Sequence, residues 1–141
     1  MRYVTRERLH VDRIATAWAI RHFVDPGATF AFVPRTKDVG SIAGTPFDIR
    51  GAELSHRGGR CTFEVLLERH ALTDAALGRM ALIVRGADLP HEDASPPESN
   101  GVRAVFDGLR DADMSDDERL RIGSAFCEAL YAFCADATSA R

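Results

Sequence analysis

Hydrophobic positions in the first third of the chain alternate between the short period of strands and the longer period of a helix. Runs rich in β-branched and aromatic residues predict strands at residues 3–5, 28–33 and 45–49. Between the first two runs, apolar residues at helical spacing predict a helix over residues 11–24, ended by Asp25-Pro26-Gly27. This order of elements predicts a small sheet with helices packed against it.

The rest of the chain has a mainly helical pattern. Four helices follow from the spacing of its apolar residues, over residues 62–70, 72–85, 101–110 and 115–136. The last begins with Ser115-x-x-Glu118, which has the form of a capping box, whereas the proline-rich residues 86–100 predict a loop. We therefore expect an α/β fold with α+β-like character. It has about three strands packed by helices, a helical C-terminal half, and one domain over residues 1–141.

Charge and cysteine content exclude several classes of protein. The formal net charge of −3 lacks the basic surplus expected of a nucleic-acid-binding domain. No run approaches the ~20 apolar residues of a membrane span. Three cysteines without a Cys-x-x-Cys pair are typical of a reducing compartment. We expect a cytoplasmic protein with no nucleic-acid or membrane partner.

The densest group of polar side chains lies between Asp48 and Glu64. Within it, Glu53-x-x-His56 has the spacing of metal ligands if the segment turns. Asp88 follows the apolar residues 81–84, where a rigid element would support a ligand. We predict that Glu53, His56 and Asp88 bind one divalent ion, either Mn, Fe or Zn. The alternative is a solvated hairpin, with Asp88 as a turn residue.

Three further side chains are candidates for a catalytic role beside that ion. His10 precedes the first long helix, and Asp12 and Glu64 each lie in the first turn of a helix. Asp12 or Glu64 could equally complement the dipole of its helix.

Arginines are the candidates for binding an anionic substrate, since Lys37 is the single lysine in the chain. The guanidinium group binds planar anions through two parallel hydrogen bonds. We assign this role to Arg13, Arg21 and Arg57. Arg21 follows Ile14 and Trp18 at helical spacing, which predicts Glu53, Asp88 or a bound anion as its partner. The alternative is that its head group reaches the surface.

Several segments together resemble the C-terminal domain of the chromate-resistance protein ChrB. They are Val11-Asp12-Arg13-Ile14-Ala15, Phe23-Val24-Asp25-Pro26, Thr45-Pro46-Phe47-Asp48-Ile49, Gly51-Ala52-Glu53, Ser55-His56-Arg57-Gly58, Cys61-Thr62-Phe63 and Leu82-Ile83-Val84-Arg85-Gly86-Ala87-Asp88. The likeness extends from about Met1 to Tyr131 and implies a link to chromate or oxidative stress. In that family the domain often follows a DNA-binding region or a rhodanese-like module, and we expect neither here.

Three functions remain open at this point. The first is a small metal-dependent enzyme that acts on an anionic substrate. The second is a binding module that senses an oxyanion or a metal without turnover. The third is an interaction domain that forms a homodimer through Phe126, Leu130 and Phe133 of the last helix.

Overall fold

The computed structural model describes residues 1–89 and 95–139, except for the side chains of Val39, Thr138 and Ser139. Its three strands are β1 (Arg2–Arg6), β2 (Thr29–Val33) and β3 (Thr45–Pro46). They form a parallel sheet in the order β2-β1-β3. Val4 in the central strand pairs with Ala31 on one side and with Pro46 on the other.

The described residues also form five α-helices. They are α1 (Val11–Ala19), α2 (Thr62–Arg69), α3 (Ala75–Asp88), α4 (Glu98–Asp111) and α5 (Asp116–Ser139). Because the small parallel sheet is combined with a helical second half, the predicted α/β fold is confirmed.

Helix α1 is the centre of the core and contacts each of the other four helices. All of its residues except Arg13 are buried. Its approach to α5 depends on Gly123, where an added Cβ atom would lie 2.6 Å from Cγ2 of Ile14. The deep burial of α1 fixes the position of the polar residues at its N-terminal end.

The helix predicted over residues 11–24 changes its winding near its end. The α-helix ends at Ala19 and continues as a π-helical turn over Ile20–Val24. The amide of Asp25 donates to the carbonyl of Ile20 at 2.7 Å. A π turn rotates each residue by less than an α turn does. The spacing that predicted Arg21 on the face of Ile14 and Trp18 therefore does not hold there.

Helix α3 differs from its predicted bounds at both ends. It begins after Asp74, whose side chain accepts from the amide of Ala76 at 2.8 Å, and it continues through Gly86 to Asp88. Gly86 is a point of close helix packing rather than a stop, because an added Cβ would lie 2.4 Å from Oγ of Ser99. Helix α4 correspondingly begins at Glu98 instead of residue 101.

The long C-terminal helix is confirmed, and Oγ of Ser115 accepts from the amide of Glu118 at 3.2 Å. On its apolar face, Phe126 and Leu130 are half-buried, whereas Phe133 is 47% exposed. Dimerisation through this face stays a prediction. Among the described helices, none combines the length and the apolar character needed to cross a bilayer.

Candidate metal centre

A polar pocket of about 490 Å³ opens where the N-terminal ends of α1 and α2 meet the C-terminal end of α3. The segment that follows β3 forms its remaining wall. Its polar lining consists of His10, Asp12, Arg13, Asp48, Arg50, Ser55, His56 and Asp88. Side chains far apart in sequence therefore meet in one open hollow.

Asp12 is the most firmly held of these side chains. It is 2% exposed, and its two carboxylate oxygens accept from the backbone amides of Thr62 and Phe63, each at 2.9 Å. These amides belong to the first turn of α2, where backbone donors lack partners within the helix. Asp12 therefore caps the neighbouring helix α2, rather than only complementing the dipole of α1.

Asp48 lies opposite Asp12 and is held from two sides. Its Oδ1 accepts from the hydroxyl of Thr62 at 2.8 Å, and its Oδ2 lies 3.2 Å from Nε of Arg13. The backbone of Asp48 is left-handed, with φ of 50°, a conformation that aspartate adopts more readily than most residues. This turn brings the carboxylate back from the end of the strand segment into the pocket.

The imidazole of His56 faces three carboxylates through one atom. Its Nε2 lies 2.9 Å from Oδ2 of Asp12, 3.0 Å from Oδ2 of Asp88 and 3.6 Å from Oδ1 of Asp48. One ring nitrogen carries at most one proton and can donate to one of these oxygens. The bond goes to Asp12, and Oδ2 of Asp88 is buried without a hydrogen bond from any described residue.

The crowding of acids raises the pKa values of two groups in the pocket. Burial, and then the charge of Asp12, raise the pKa of Asp48 from 3.8 to about 7. The hydrogen bond to Asp12 and the close contact with the carboxylate of Asp88 raise the pKa of His56 from 6.5 to about 10. The free pocket therefore holds His56 as a cation at neutral pH, because only a positive charge can offset the surrounding carboxylates.

Of the three predicted metal ligands, the structure brings His56 and Asp88 together. Asp12, Asp48 and His56 present ligand atoms that all lie within 4.8 Å of one another, and Asp88 adjoins them. Glu53 lies elsewhere, with its exposed carboxylate 2.8 Å from Arg69. The segment does not wind as a helix between Glu53 and His56, so their spacing does not place them on one face.

The structure does not bring all of the predicted catalytic side chains into the pocket. His10 lines the pocket, and its Nε2 lies 2.6 Å from Oδ1 of Asp107 in α4. Glu64 is buried away from the pocket, where it accepts from the amide of Cys61 at 3.1 Å and lies 3.4 Å from Arg85. Glu64 thus closes the N-terminal end of α2 as part of a capping box.

Among the predicted anion-binding arginines, Arg13 lines the pocket and the other two do not. Arg21 donates to the carbonyl of Ala28 at 3.2 Å and lies over the ring of Phe30, so neither Glu53 nor Asp88 is its partner. Arg57 is exposed and donates to the carbonyl of Glu53.

Three polar lining residues had no role in the sequence-based assignment, namely Asp48, Arg50 and Ser55, and neither had Asp107, which contacts His10. Asp48 carried a usable signal, since it comes just after a strand segment and ligands of parallel sheets bind beyond the strand ends. Asp107 carried none, because its contact with His10 spans 97 positions. His91 and Glu92, which follow Asp88 closely in the sequence, lie outside the described residues.

Two comparisons with known proteins indicate the same family, and both matches extend over most of the chain. The family model described as "ChrB, C-terminal domain" matches residues 3–134. Protein ChrB of Cupriavidus metallidurans is 35% identical over 130 residues, which cover 92% of this chain and 39% of that protein. The chain thus spans about two fifths of this relative, and no solved structure matches it significantly. Because the match includes all of the pocket, the chain belongs to the ChrB C-terminal domain family.

Proposed function

We propose that the pocket binds one divalent cation through Asp12, Asp48 and His56, with Asp88 as a further ligand. The domain would use this cation as a metal-dependent enzyme on a small anionic substrate. The observation that carries the proposal is the convergence of three carboxylate oxygens on one imidazole nitrogen.

The spacing of these atoms suits a shared ion. In an octahedral site with bonds of about 2.1 Å, adjacent ligand atoms lie about 3 Å apart. The contacts of His56 with Asp12, Asp88 and Asp48 measure 2.9, 3.0 and 3.6 Å. A mixture of carboxylate and imidazole ligands favours Mn²⁺, Fe²⁺ or Zn²⁺ over the harder Ca²⁺.

The charge of the pocket also favours a dication. When all three aspartates are ionised, their negative charge exceeds the positive charge of a protonated His56 and of Arg13, which pairs with Asp48. A divalent ion would replace the single proton on His56 and give the buried oxygen of Asp88 a partner. Buried carboxylates without such compensation are costly.

Because the pocket is open on one side, it is better suited to a catalytic metal ion than to a purely structural one. Catalytic metal sites keep a coordination position for water or substrate, whereas structural sites are closed by protein ligands. The imidazole of His56 is 48% exposed. Arg50 would attract the substrate anion, and His10, oriented by Asp107, could accept or return a proton. The bound ion would polarise the substrate or a water molecule.

The family relationship supports a link to chromate resistance. We propose that the domain acts in the cytoplasm and that its role extends to oxidative stress. Chromate is a small tetrahedral dianion and therefore falls within the broad class of small anions proposed as substrates. Two arginines line the pocket, Arg13 and Arg50, and their guanidinium groups are suited to binding such an oxyanion.

One observation favours the alternative of a binding module without turnover. The hydroxyl of Ser55 donates to the carbonyl of Ala52 at 2.7 Å, and the nearby thiol of Cys61 is fully buried. Neither Ser55, which lines the pocket, nor Cys61, which does not, is therefore available there as a nucleophile. Such a module would show the same metal binding without converting any substrate.

The test is metal binding by the metal-free protein, measured by calorimetry with Mn²⁺, Fe²⁺ and Zn²⁺. We expect about one ion per chain and a higher melting temperature, since a ligand of the folded state stabilises it by about 2.7 kcal/mol at 100 times its Kd. His56→Ala should lose binding. Glu53→Ala is the matched control and should retain it, because Glu53 pairs with Arg69 outside the pocket.

If none of these ions binds wild-type protein, the proposed function is wrong. Equal loss of binding in Glu53→Ala and His56→Ala would also contradict the assignment of ligands.

A further inference from the structure

A second hollow of about 450 Å³ adjoins the cation pocket on the side of α4. His10, Arg13 and Asp88 line both spaces, so the two hollows share a wall. We name the second hollow the arginine groove, after Arg8, Arg13, Arg35, Arg103 and Arg110, which line it with His10. A ligand held in the cation pocket would therefore have the arginine groove directly beside it.

The two carboxylates of the arginine groove are already engaged. Asp88 lies 3.0 Å from His56 in the cation pocket, and Asp107 lies 2.6 Å from Nε2 of His10. Three of the five arginines also have acidic partners. Arg13 pairs with Asp48, and both Arg8 and Arg110 pair with Asp111.

Arg35 and Arg103 are different. Neither forms an ion pair or a side-chain hydrogen bond with any residue in the ranges 1–89 and 95–139. Arg103 shares one face of α4 with Asp107 and Arg110, at positions i, i+4 and i+7, and Arg35 comes from the loop after β2. Two uncompensated guanidinium groups thus converge on the arginine groove from separate elements.

We infer that the substrate of the cation pocket is a diphosphate, meaning a small molecule with two phosphate groups in series. This inference rests on the proposed function. The first phosphate would reach the metal ion, because ions held by carboxylates are commonly completed by substrate phosphate oxygens. The second phosphate would lie in the arginine groove, where its charge matches Arg35 and Arg103.

The experiment uses the full chain in excess Mn²⁺ and compares wild type with the double variant Arg35→Gln/Arg103→Gln. Mn²⁺ affinity is measured first, without any anion. Binding of the preformed Mn²⁺–pyrophosphate complex is then compared with binding of orthophosphate and malonate. Chelation of Mn²⁺ in solution is the same for every variant, so it cancels when the variants are compared.

We expect the double variant to bind pyrophosphate at least about tenfold more weakly, since charge-assisted hydrogen bonds to two arginines are lost. Its affinities for Mn²⁺ and for orthophosphate should stay within about twofold of wild type. Arg121→Gln is the control, because Arg121 pairs with Glu118 on α5 and does not line the arginine groove.

Two results would overturn the inference while leaving the metal site intact. In the first, Mn²⁺ binds but wild type does not prefer pyrophosphate to both orthophosphate and malonate. In the second, the double variant and Arg121→Gln bind pyrophosphate equally well. Absence of Mn²⁺ binding by wild type would overturn both the inference and the proposed function.

Discussion

Thr62 joins two of the proposed ligands, and its hydroxyl can be removed with little change of shape. Its backbone amide donates to Asp12, whereas its hydroxyl donates to Oδ1 of Asp48 at 2.8 Å. Valine retains the branched side chain and the amide, so Thr62→Val should lose only the hydrogen bond to Asp48. Thr62 would be a positioning residue, because it would act on the proposed metal ion through the aspartate that it orients.

The magnitude of the effect follows from the charge and burial of the partners. Thr62 is fully buried, and a hydrogen bond to a charged group contributes about 1.5–3 kcal/mol to stability. We expect Thr62→Val to lower the free energy of unfolding of the metal-free protein by that amount. Loss of a hydrogen bond to a metal ligand should also weaken Mn²⁺ binding about 10–100-fold.

Thr16 provides a matched control for this substitution. It is also a fully buried helical threonine, but its hydroxyl has no hydrogen-bond partner among the described residues. Thr16→Val should therefore leave the free energy of unfolding unchanged or raise it by about 1 kcal/mol, because it removes an unsatisfied polar group. Its Mn²⁺ affinity should equal that of wild type.

Urea unfolding in the presence of a chelator measures the free energy of unfolding of the metal-free protein, and calorimetry measures the affinity for Mn²⁺. Thr62→Ser, which restores the hydroxyl, should recover most of the lost Mn²⁺ affinity. If Thr62→Val and Thr16→Val change stability and affinity to the same extent, the hydrogen bond to Asp48 does not position a ligand.

Two further predictions concern protonation. The folded-state pKa of Asp48 is raised to about 7, so its protonated form stabilises the metal-free fold at low pH, and this contribution is lost as pH rises from about 4 to 7. Asp48→Asn should abolish that loss, and parallel urea-unfolding profiles of variant and wild type across this range would contradict it. Burial raises the thiol pKa values of Cys61, Cys127 and Cys134, so all three should react slowly with a thiol reagent in native protein. Rapid labelling before unfolding would show that these thiols are accessible.

The fold was predictable wherever local pattern and tertiary packing agree. The period of apolar residues located α5 to within a few residues, and Ser115 marked its beginning. The end of α3 was not predictable, since the sequence shows only that Gly86 could stop a helix. The close packing of Ser99 against Gly86, which leaves no room for a side chain there, is a tertiary contact.

The sequence indicated the types of residue that form the candidate site better than it indicated which individual residues belong to it. His56 and Asp88 were selected as ligands, and Asp12 was placed near them. Glu53 was included because a helical spacing was assumed for a segment that does not wind as a helix. Arg21 was included because the π turn that ends α1 cannot be recognised from the period of its apolar residues. Both differences arise where the backbone departs from regular winding.

The double attachment of Asp12 affects how sequences of related chains should be interpreted. Its carboxylate accepts from two amides in the first turn of α2, so this acid stabilises the fold whether or not a metal ion binds. An acid at position 12 is therefore a poor marker of the proposed metal site in related chains. Among the described residues His56 caps no helix, and its replacement would be the more informative sign that a related chain lacks this site.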